Sequence, residues 1–310
     1  MGGRATNREL VVAAAQLGPV RRTDCRESTI RRLINLLEGA ADHGAALVVF
    51  PELALTSFFP HWLIEEEEEL RTFYERELPS DATQALFDVA KQRGISFALG
   101  FAEEDTDGRL FNSEVLIDQN GGEALRYRKV HLPGFKDYQP AADHQLLEKR
   151  YFEVGNLGFP VSPWRNTTVG LLICNDRRWA ESYRVLALQG AELVCLGYNT
   201  PVKTPHFPET DSLADFHNHR SMQAGAYQNS LWVVGAAKAG IEEGVDQIGG
   251  SAIIAPSGEI VACARTKSDE LVLAEIDLDM AARYRKDIFS FVQHRRPEHY
   301  GLICQPVVHP

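Results

Sequence analysis

A chain of 310 residues, 44% of them apolar and 24% charged, has a globular balance and the length for one large domain or two ordinary ones. Its net charge of -11 and pI near 5.4 argue against a nucleic-acid partner, because no Lys/Arg run is longer than a pair. Five cysteines, Cys25, Cys174, Cys195, Cys263 and Cys304, form no C-x-x-C pair and suit a reducing compartment better than a secreted disulfide framework.

Leu10 to Ala15 is the only apolar run at the amino terminus. It is too short for a signal-peptide core or a membrane span, so a cytoplasmic protein without a membrane partner is expected. Met1 to Thr6 fits the loose myristoylation pattern, which is permissive enough to be read as coincidence. Leu10 to Gln16 reads as a first strand. Asp24 then caps a helix with Ile30, Leu33, Ile34 and Leu37 on one face, and Gly44 closes it before a strand from Ala46 to Phe50. Residues 51 to 80 are irregular, and the acidic run Glu65 to Glu69 reads as a solvated helix face.

A second helix is predicted from Asp81 to Arg93, followed by strands at Phe97 to Glu103, Phe111 to Asp118 and Glu123 to Val130, the last two joined by a turn at Gln119 to Gly122. The outline then repeats. Strand Val169 to Ile173 leads into helix Ala180 to Gln189 and strand Leu193 to Leu196. A helix around Ser212 to Tyr227 and strands Leu231 to Ala236, Ser251 to Ala255, Glu259 to Ala264 and Leu271 to Ile276 complete a second sheet, with Pro256 to Gly258 as a hairpin turn. No low-complexity linker divides the halves, so one domain over residues 1–310 is expected, with two sheets face to face and helices outside. From Asp279 onward, Tyr284, Phe289, Phe291, Tyr300 and Leu302 suggest an arm lying on another surface, such as a second subunit.

Two strands deliver chemically able side chains at their ends. Val169 to Ile173 stops at Cys174, and Ala46 to Phe50 stops at Pro51 and Glu52. In open α/β sheets such carboxyl ends open into a crevice, so a thiol and a carboxylate point at one edge. A cysteine hydrolase also needs a cation where an oxyanion forms, and Lys129 stands at the end of another strand. Each has a plainer reading: Cys174 as core filler, Lys129 as a surface base. Arg177 and Arg178, three and four positions past the cysteine, could clamp a carboxylate or serve internal salt bridges. Asn175, Asn199 and His131 are further candidates for orienting a substrate, with structural hydrogen bonding as the alternative for each. Neither His217 with His219 nor His294 with His299 makes a metal-binding arrangement, and this chemistry requires no metal or cofactor.

Taken in order, Glu52 in F-P-E-L, Lys129 in Y-R-K-V-H-L-P and Cys174 in I-C-N-D-R-R-W resemble the Glu-Lys-Cys triad of the nitrilase, or carbon-nitrogen hydrolase, superfamily. The spacing is specific, 77 residues from Glu52 to Lys129 and 45 from Lys129 to Cys174. Phe50 to Thr56, Leu147 to Glu153, Ile173 to Trp179, Gly197 to Pro201 and Ser221 to Gly225 look like signatures of the N-carbamoyl-D-amino-acid amidohydrolases within it.

The resemblance implies a four-layer α-β-β-α sandwich of the nitrilase type, assembled as a homodimer or homotetramer. It implies a second catalytic glutamate at Glu148, and hydrolysis of N-carbamoyl-D-amino acids to the amino acid, ammonia and carbon dioxide through a thioester-like intermediate on Cys174. A small substrate with a carboxylate follows. The chain departs from that family at one place: Leu146 stands where a substrate-binding histidine is expected two positions before the second glutamate, and His144 lies two residues earlier. β-Ureidopropionate hydrolysis, simple amide hydrolysis, nitrile hydrolysis and a non-catalytic binding role stay open.

Overall fold

The computed structural model describes residues 8–205 and 207–307. The Met1 to Thr6 acylation pattern lies outside them. Strand β1 (Glu9–Gln16) leads to helix α1 (Arg26–Asp42), which buries Ile30, Leu33, Leu36, Leu37 and Ala40 on one face. Its N-cap is Cys25 rather than Asp24, whose carboxylate instead accepts the Arg21 N–H at 2.9 Å. Strand β2 (Ala45–Val49) is wholly buried, as a strand covered on both faces must be. After it come the short helix α2 (Glu67–Arg71), the two-residue strand β3 (Tyr74–Glu75) and helix α3 (Gln84–Arg93). Helix α3 starts three residues later than Asp81 because Ser80 to Thr83 form a turn, with the Thr83 hydroxyl accepting the Ser80 N–H. Strands β4 (Ser96–Glu104), β5 (Leu110–Ile117) and β6 (Glu123–Arg128) follow as a meander.

The second half opens with a single helical turn, α4 (Glu148–Tyr151), and strand β7 (Val161–Trp164). Strand β8 (Thr167–Ile173), helix α5 (Ala180–Leu188), strand β9 (Leu193–Tyr198), helix α6 (Ala214–Asn229) and strand β10 (Trp232–Ala237) form a parallel β-α-β-α-β unit. Next come the hairpin β11 (Ala239–Glu242) and β12 (Val245–Ile248), then β13 (Ala252–Ile254), β14 (Ile260–Cys263) and β15 (Glu270–Asp277). Helices α7 (Leu278–Asp287) and α8 (Phe291–His294) begin the carboxyl-terminal arm.

Two large sheets result, one ordered β15-β1-β2-β4-β5-β6 with β3 beside β4, the other β14-β13-β10-β9-β8-β7. Side chains alternate across the first: Val12 and Ala14 face the second sheet's Leu171, Ile173 and Val234, while Ala13 and Ala15 face the Leu33 and Leu37 of α1. Tyr183 and Leu186 of α5 and Met222 and Ala226 of α6 cover the second sheet's far side. The chain is thus layered α-β-β-α. Leu271 to Ile276, read above as part of the second sheet, instead lies antiparallel to β1, with Ile276 opposite Leu10 and Leu271 opposite Ala15. The arm lies beside α5 and α6 of its own chain, where Phe289 packs edge-on against Tyr227 at 5.0 Å and Arg285 donates to the Ala191 carbonyl. No helix among the described residues is long and apolar enough to cross a membrane.

Candidate active site

The ends of β2, β6, β8 and β9 converge on one edge of the sandwich. At the end of β2, the Pro51-Glu52 turn is gripped between the sheets by two glycines. A Cβ on Gly100 of β4 would lie 2.7 Å from the Glu52 Cα, and one on Gly197 of β9 only 2.5 Å from the Glu52 nitrogen. Only a residue without a side chain lets the backbones approach so closely. Glu52 is fully buried. Its Oε1 accepts from Lys129 Nζ at 2.6 Å and from Asn112 Nδ2 at 2.7 Å, and its Oε2 accepts the Asn199 N–H at 3.0 Å.

Lys129 follows β6, still paired to β5 through its N–H to the Asn112 carbonyl at 2.8 Å. Its ammonium lies between two carboxylates, 2.6 Å from Glu52 and 2.6 Å from Glu148, with no solvent exposure. Burial works against the charge, but the interactions with Cys174, Glu148 and Glu52 outweigh it and hold the ammonium above its ordinary pKa. Glu148 opens α4, and faces Lys129 rather than its neighbours Lys149 and Arg150. Burial, with a smaller push from Glu52, raises its pKa to about 7 against the pull of Lys129. Asn112 also approaches Glu148 Oε2 at 3.4 Å, so one amide ties the two carboxylates.

Cys174 stands at the end of β8 with φ 45, a left-handed conformation unusual for a residue with a side chain. Such a turn exposes a nucleophile above the sheet edge, as in other strand-to-helix elbows. Asp176 fixes the turn: its carboxylate accepts the Ile173 N–H at 3.1 Å, the Tyr127 hydroxyl at 2.8 Å and the His131 N–H at 3.0 Å. The thiol donates to the Asn199 carbonyl at 3.1 Å, so Asn199 bridges Cys174 and Glu52 through its two backbone groups. Burial raises the thiol's pKa, Glu52 adds to this, and Lys129 and Arg177 oppose it.

Cys174 and Glu148 open into a cleft of about 70 Å³, also lined by Phe58, Asn175, Arg178 and Asn199. The two arginines part ways here. Arg177 is buried and committed: Nε donates to Asn218 Oδ1 at 3.0 Å, Nη1 to the Cys174 carbonyl at 2.6 Å and Nη2 to Thr200 Oγ1 at 2.8 Å. Its guanidinium also packs over Tyr198 and reaches within 3.7 Å of the sulfur, so it braces the cysteine turn instead of clamping a ligand. Arg178 is exposed, lines the cleft and has no hydrogen-bond or ion-pair partner among the described residues.

His131 is placed differently from the expectation above. Its Nδ1 lies 2.8 Å from Asp176, its ring stacks on Trp179 at 4.8 Å, and it lines a neighbouring hollow instead of this cleft. Asn175 lines both, with its Nδ2 donating to the His131 carbonyl at 3.0 Å. Asn199 directs its Nδ2 to the Glu52 carbonyl at 2.9 Å and leaves its buried Oδ1 unpartnered, as Glu148 leaves Oε1. His144 and Leu146 both line the cleft. Sequence reasoning missed Asn112, Asp176 and Phe58. Asn112 is not marked out in the sequence, since it stands in β5 beside two further polar residues, Ser113 and Glu114.

Among the described residues no group of three or more His, Cys, Asp or Glu is arranged to hold a metal, and all five cysteines are free. A buried carboxylate, an ammonium and a thiol around one small cleft are the parts needed for covalent acyl transfer.

Residues 11–286 match the carbon-nitrogen hydrolase family. A nitrilase of Pyrococcus abyssi is 33% identical over 266 residues, 86% of this chain and 90% of that protein. An N-carbamoylputrescine amidase of Solanum lycopersicum is 31% identical over 310 aligned positions, 96% of this chain and 95% of its own. The crystal structure of a carbon-nitrogen hydrolase from Helicobacter pylori superposes with a TM-score of 0.83 at 23% identity, covering 97% of this chain and 99% of the other. With the family pattern spanning nearly the whole chain and the same layered fold beneath it, the protein belongs to the carbon-nitrogen hydrolase, or nitrilase, superfamily.

Proposed function

We propose that this carbon-nitrogen hydrolase, which acts on bonds other than peptide bonds, hydrolyses the ureido C–N bond of N-carbamoyl amino acids, with the D enantiomer as the hand the sequence resemblance implies. The observation that carries the substrate class is Arg178, an unpartnered guanidinium on the cleft that holds the thiol. Such a group binds a carboxylate through paired charge-assisted hydrogen bonds and repels an amine. Among the described residues Glu148 is the one carboxylate lining the cleft, and it is paired with Lys129. The free oxygens Asn199 Oδ1 and Glu148 Oε1 complement the N–H groups of a ureido end.

In the proposed mechanism, Glu52 takes the Cys174 proton as the sulfur attacks the ureido carbon. The carbonyl π pair moves to oxygen, and the oxyanion is held by Lys129 and by the Asn175 N–H, which sits in the first turn after the nucleophile where no intrahelical acceptor exists. Collapse breaks the C–N bond, and the leaving amine takes the proton from Glu52. Water then gives a proton to Glu52 and attacks the thioester-like carbon, and Cys174 leaves and is reprotonated. The carbamic acid so released breaks its remaining C–N bond, its proton passing to nitrogen as carbon dioxide leaves, so that the free amino acid, ammonia and carbon dioxide are the final products.

A panel of N-carbamoyl-D- and L-amino acids, β-ureidopropionate, carbamoylputrescine, propionamide and a simple nitrile tests the reading, with ammonia release measured and Cys174→Ala as control. Turnover of a carbamoyl amino acid well above carbamoylputrescine is expected. Preference for carbamoylputrescine, the substrate named for the tomato relative, would overturn the carboxylate reading. No turnover of any member would favour a binding protein.

A further inference from the structure

Lys238 and Glu242 form an ion pair with no solvent exposure on either side chain, Nζ to Oε2 at 3.1 Å, yet neither lines the cleft. Their bonds reach outward to the segment that follows Glu52. Lys238 Nζ donates to the Thr56 carbonyl, Glu242 Oε1 accepts the Phe58 N–H, and Glu242 Oε2 accepts the Val20 N–H at 2.9 Å. Phe58 is a wall of the cleft. The same hairpin also grips the opposite wall. The Ile248 N–H donates to the Thr200 carbonyl at 2.9 Å, the Val202 N–H to the Asp246 carbonyl at 2.7 Å, and Pro201 bridges to Gln247. Thr200 and Pro201 line the cleft from the second sheet's side.

We infer that the β11–β12 hairpin positions both walls of the acyl cleft, the Phe58 wall through the Lys238–Glu242 pair and the Thr200 wall through the β12 backbone, and so sets how tightly an amide is held, while Asn112 and Lys129 anchor Glu52 apart from it. Glu52 Oε1 is held by Asn112 and Lys129, which make no hydrogen bond to the hairpin, whereas Asn199, the third partner, lies between Tyr198 and Thr200, whose carbonyls accept the Lys238 and Ile248 N–H groups. The pair is therefore assigned a positioning role and no catalytic one. A buried ion pair is seldom needed for stability alone, since apolar residues of like volume often replace one at no cost. This one is placed where its polar reach matters: it ends on backbone groups of a loop that has no strand partner of its own. The inference rests on the hydrolase reading of the site and not on the carboxylate substrate.

The test is saturable inactivation of the full-length protein by iodoacetamide, itself a small amide, with Lys238→Met/Glu242→Met. The inactivation constant KI is expected to rise about tenfold while the limiting rate and the pH midpoint of Cys174 alkylation stay within about twofold, the signature of lost binding without lost chemistry. KM for the best substrate of the panel should rise in step at nearly constant kcat. If the double variant does not fold, Glu242→Gln keeps the shape and loses one of two acceptor oxygens. It should raise KI about threefold with the same split. Unchanged KI, or a shifted pH midpoint and limiting rate, overturns the inference. Iodoacetamide kinetics that behave as expected while no carbamoyl substrate turns over would overturn the ureido reading alone.

Discussion

Gly197→Ala puts the placement of Glu52 to a direct test. The added methyl would stand 2.5 Å from the Glu52 nitrogen, 2.8 Å from the Pro51 carbonyl carbon and 3.0 Å from the Phe50 oxygen. All three are backbone atoms, so nothing can rotate away. The turn and β9 must separate by about 0.9 Å to reach the 3.4 Å at which ordinary contact begins. A shift near 1 Å in a catalytic group costs on the order of a hundredfold in rate, so kcat/KM for ammonia release should fall about 30- to 100-fold. Gly39→Ala is the matched control. Its methyl would meet Leu271 Cδ1 at 2.9 Å, the movable tip of a side chain, and it lies within α1. There alanine should be neutral or stabilise by up to about 1 kcal/mol, with kcat/KM unchanged. Thermal melts of both variants separate misplacement from unfolding. A folded Gly197→Ala enzyme within about twofold of the parent would refute the claim that this close approach sets the position of the base.

Glu148→Gln should change how stability depends on pH. Below pH 4.5 the carboxyl is protonated whether the chain is folded or not. Between 4.5 and about 7 the unfolded chain has lost a proton that the buried group retains, so its contribution to stability is lost as pH rises through about 7. Glutamine lacks that loss, and the melting temperature of the variant relative to the parent should climb from pH 5 to pH 8. The ceiling is about 3 kcal/mol, from linkage over that interval; a flat difference would contradict the shifted carboxyl. Arg178→Ala should raise KM for N-carbamoyl amino acids roughly 10- to 100-fold, the worth of a charge-assisted pair, and leave kcat and propionamide turnover nearly unchanged. Equal effects on both substrates would remove the carboxylate role.

Strands β2, β8 and β9 were legible because each is a short, largely apolar and buried run with a polar or thiol side chain close after its end, whereas β6, with Glu123, Arg126 and Arg128 in six residues, was legible only from the Gln119 to Gly122 turn before it. Partner choice was not. Leu271 to Ile276 alternates in a way that suits an edge of either sheet, and only the antiparallel pairing with β1 decides it. The β11–β12 hairpin escaped notice for a related reason. Its turn has φ 50 at Glu243 and φ 86 at Gly244, the geometry of a two-residue hairpin turn, but glutamate stands where Asn or Asp would have signalled it. The buried pair beside it made a charged stretch look exposed. Adjacent arginines likewise carry no sign of which one is committed: Arg177 and Arg178 differ only once Asn218 and Thr200, distant in sequence, are brought beside the first.

The account's central claim is that Cys174 is an activated nucleophile, and competitive alkylation measures it. Cys174 is buried with a raised pKa, whereas Cys25 and Cys304 are exposed, so intrinsic reactivity alone would leave Cys174 the slowest of these three. With sub-stoichiometric iodoacetamide at neutral pH and peptide mass spectrometry, Cys174 is expected to be labelled first, and Glu52→Gln is expected to abolish that preference. Labelling of Cys174 no faster than Cys25 or Cys304 in the parent protein would contradict the account.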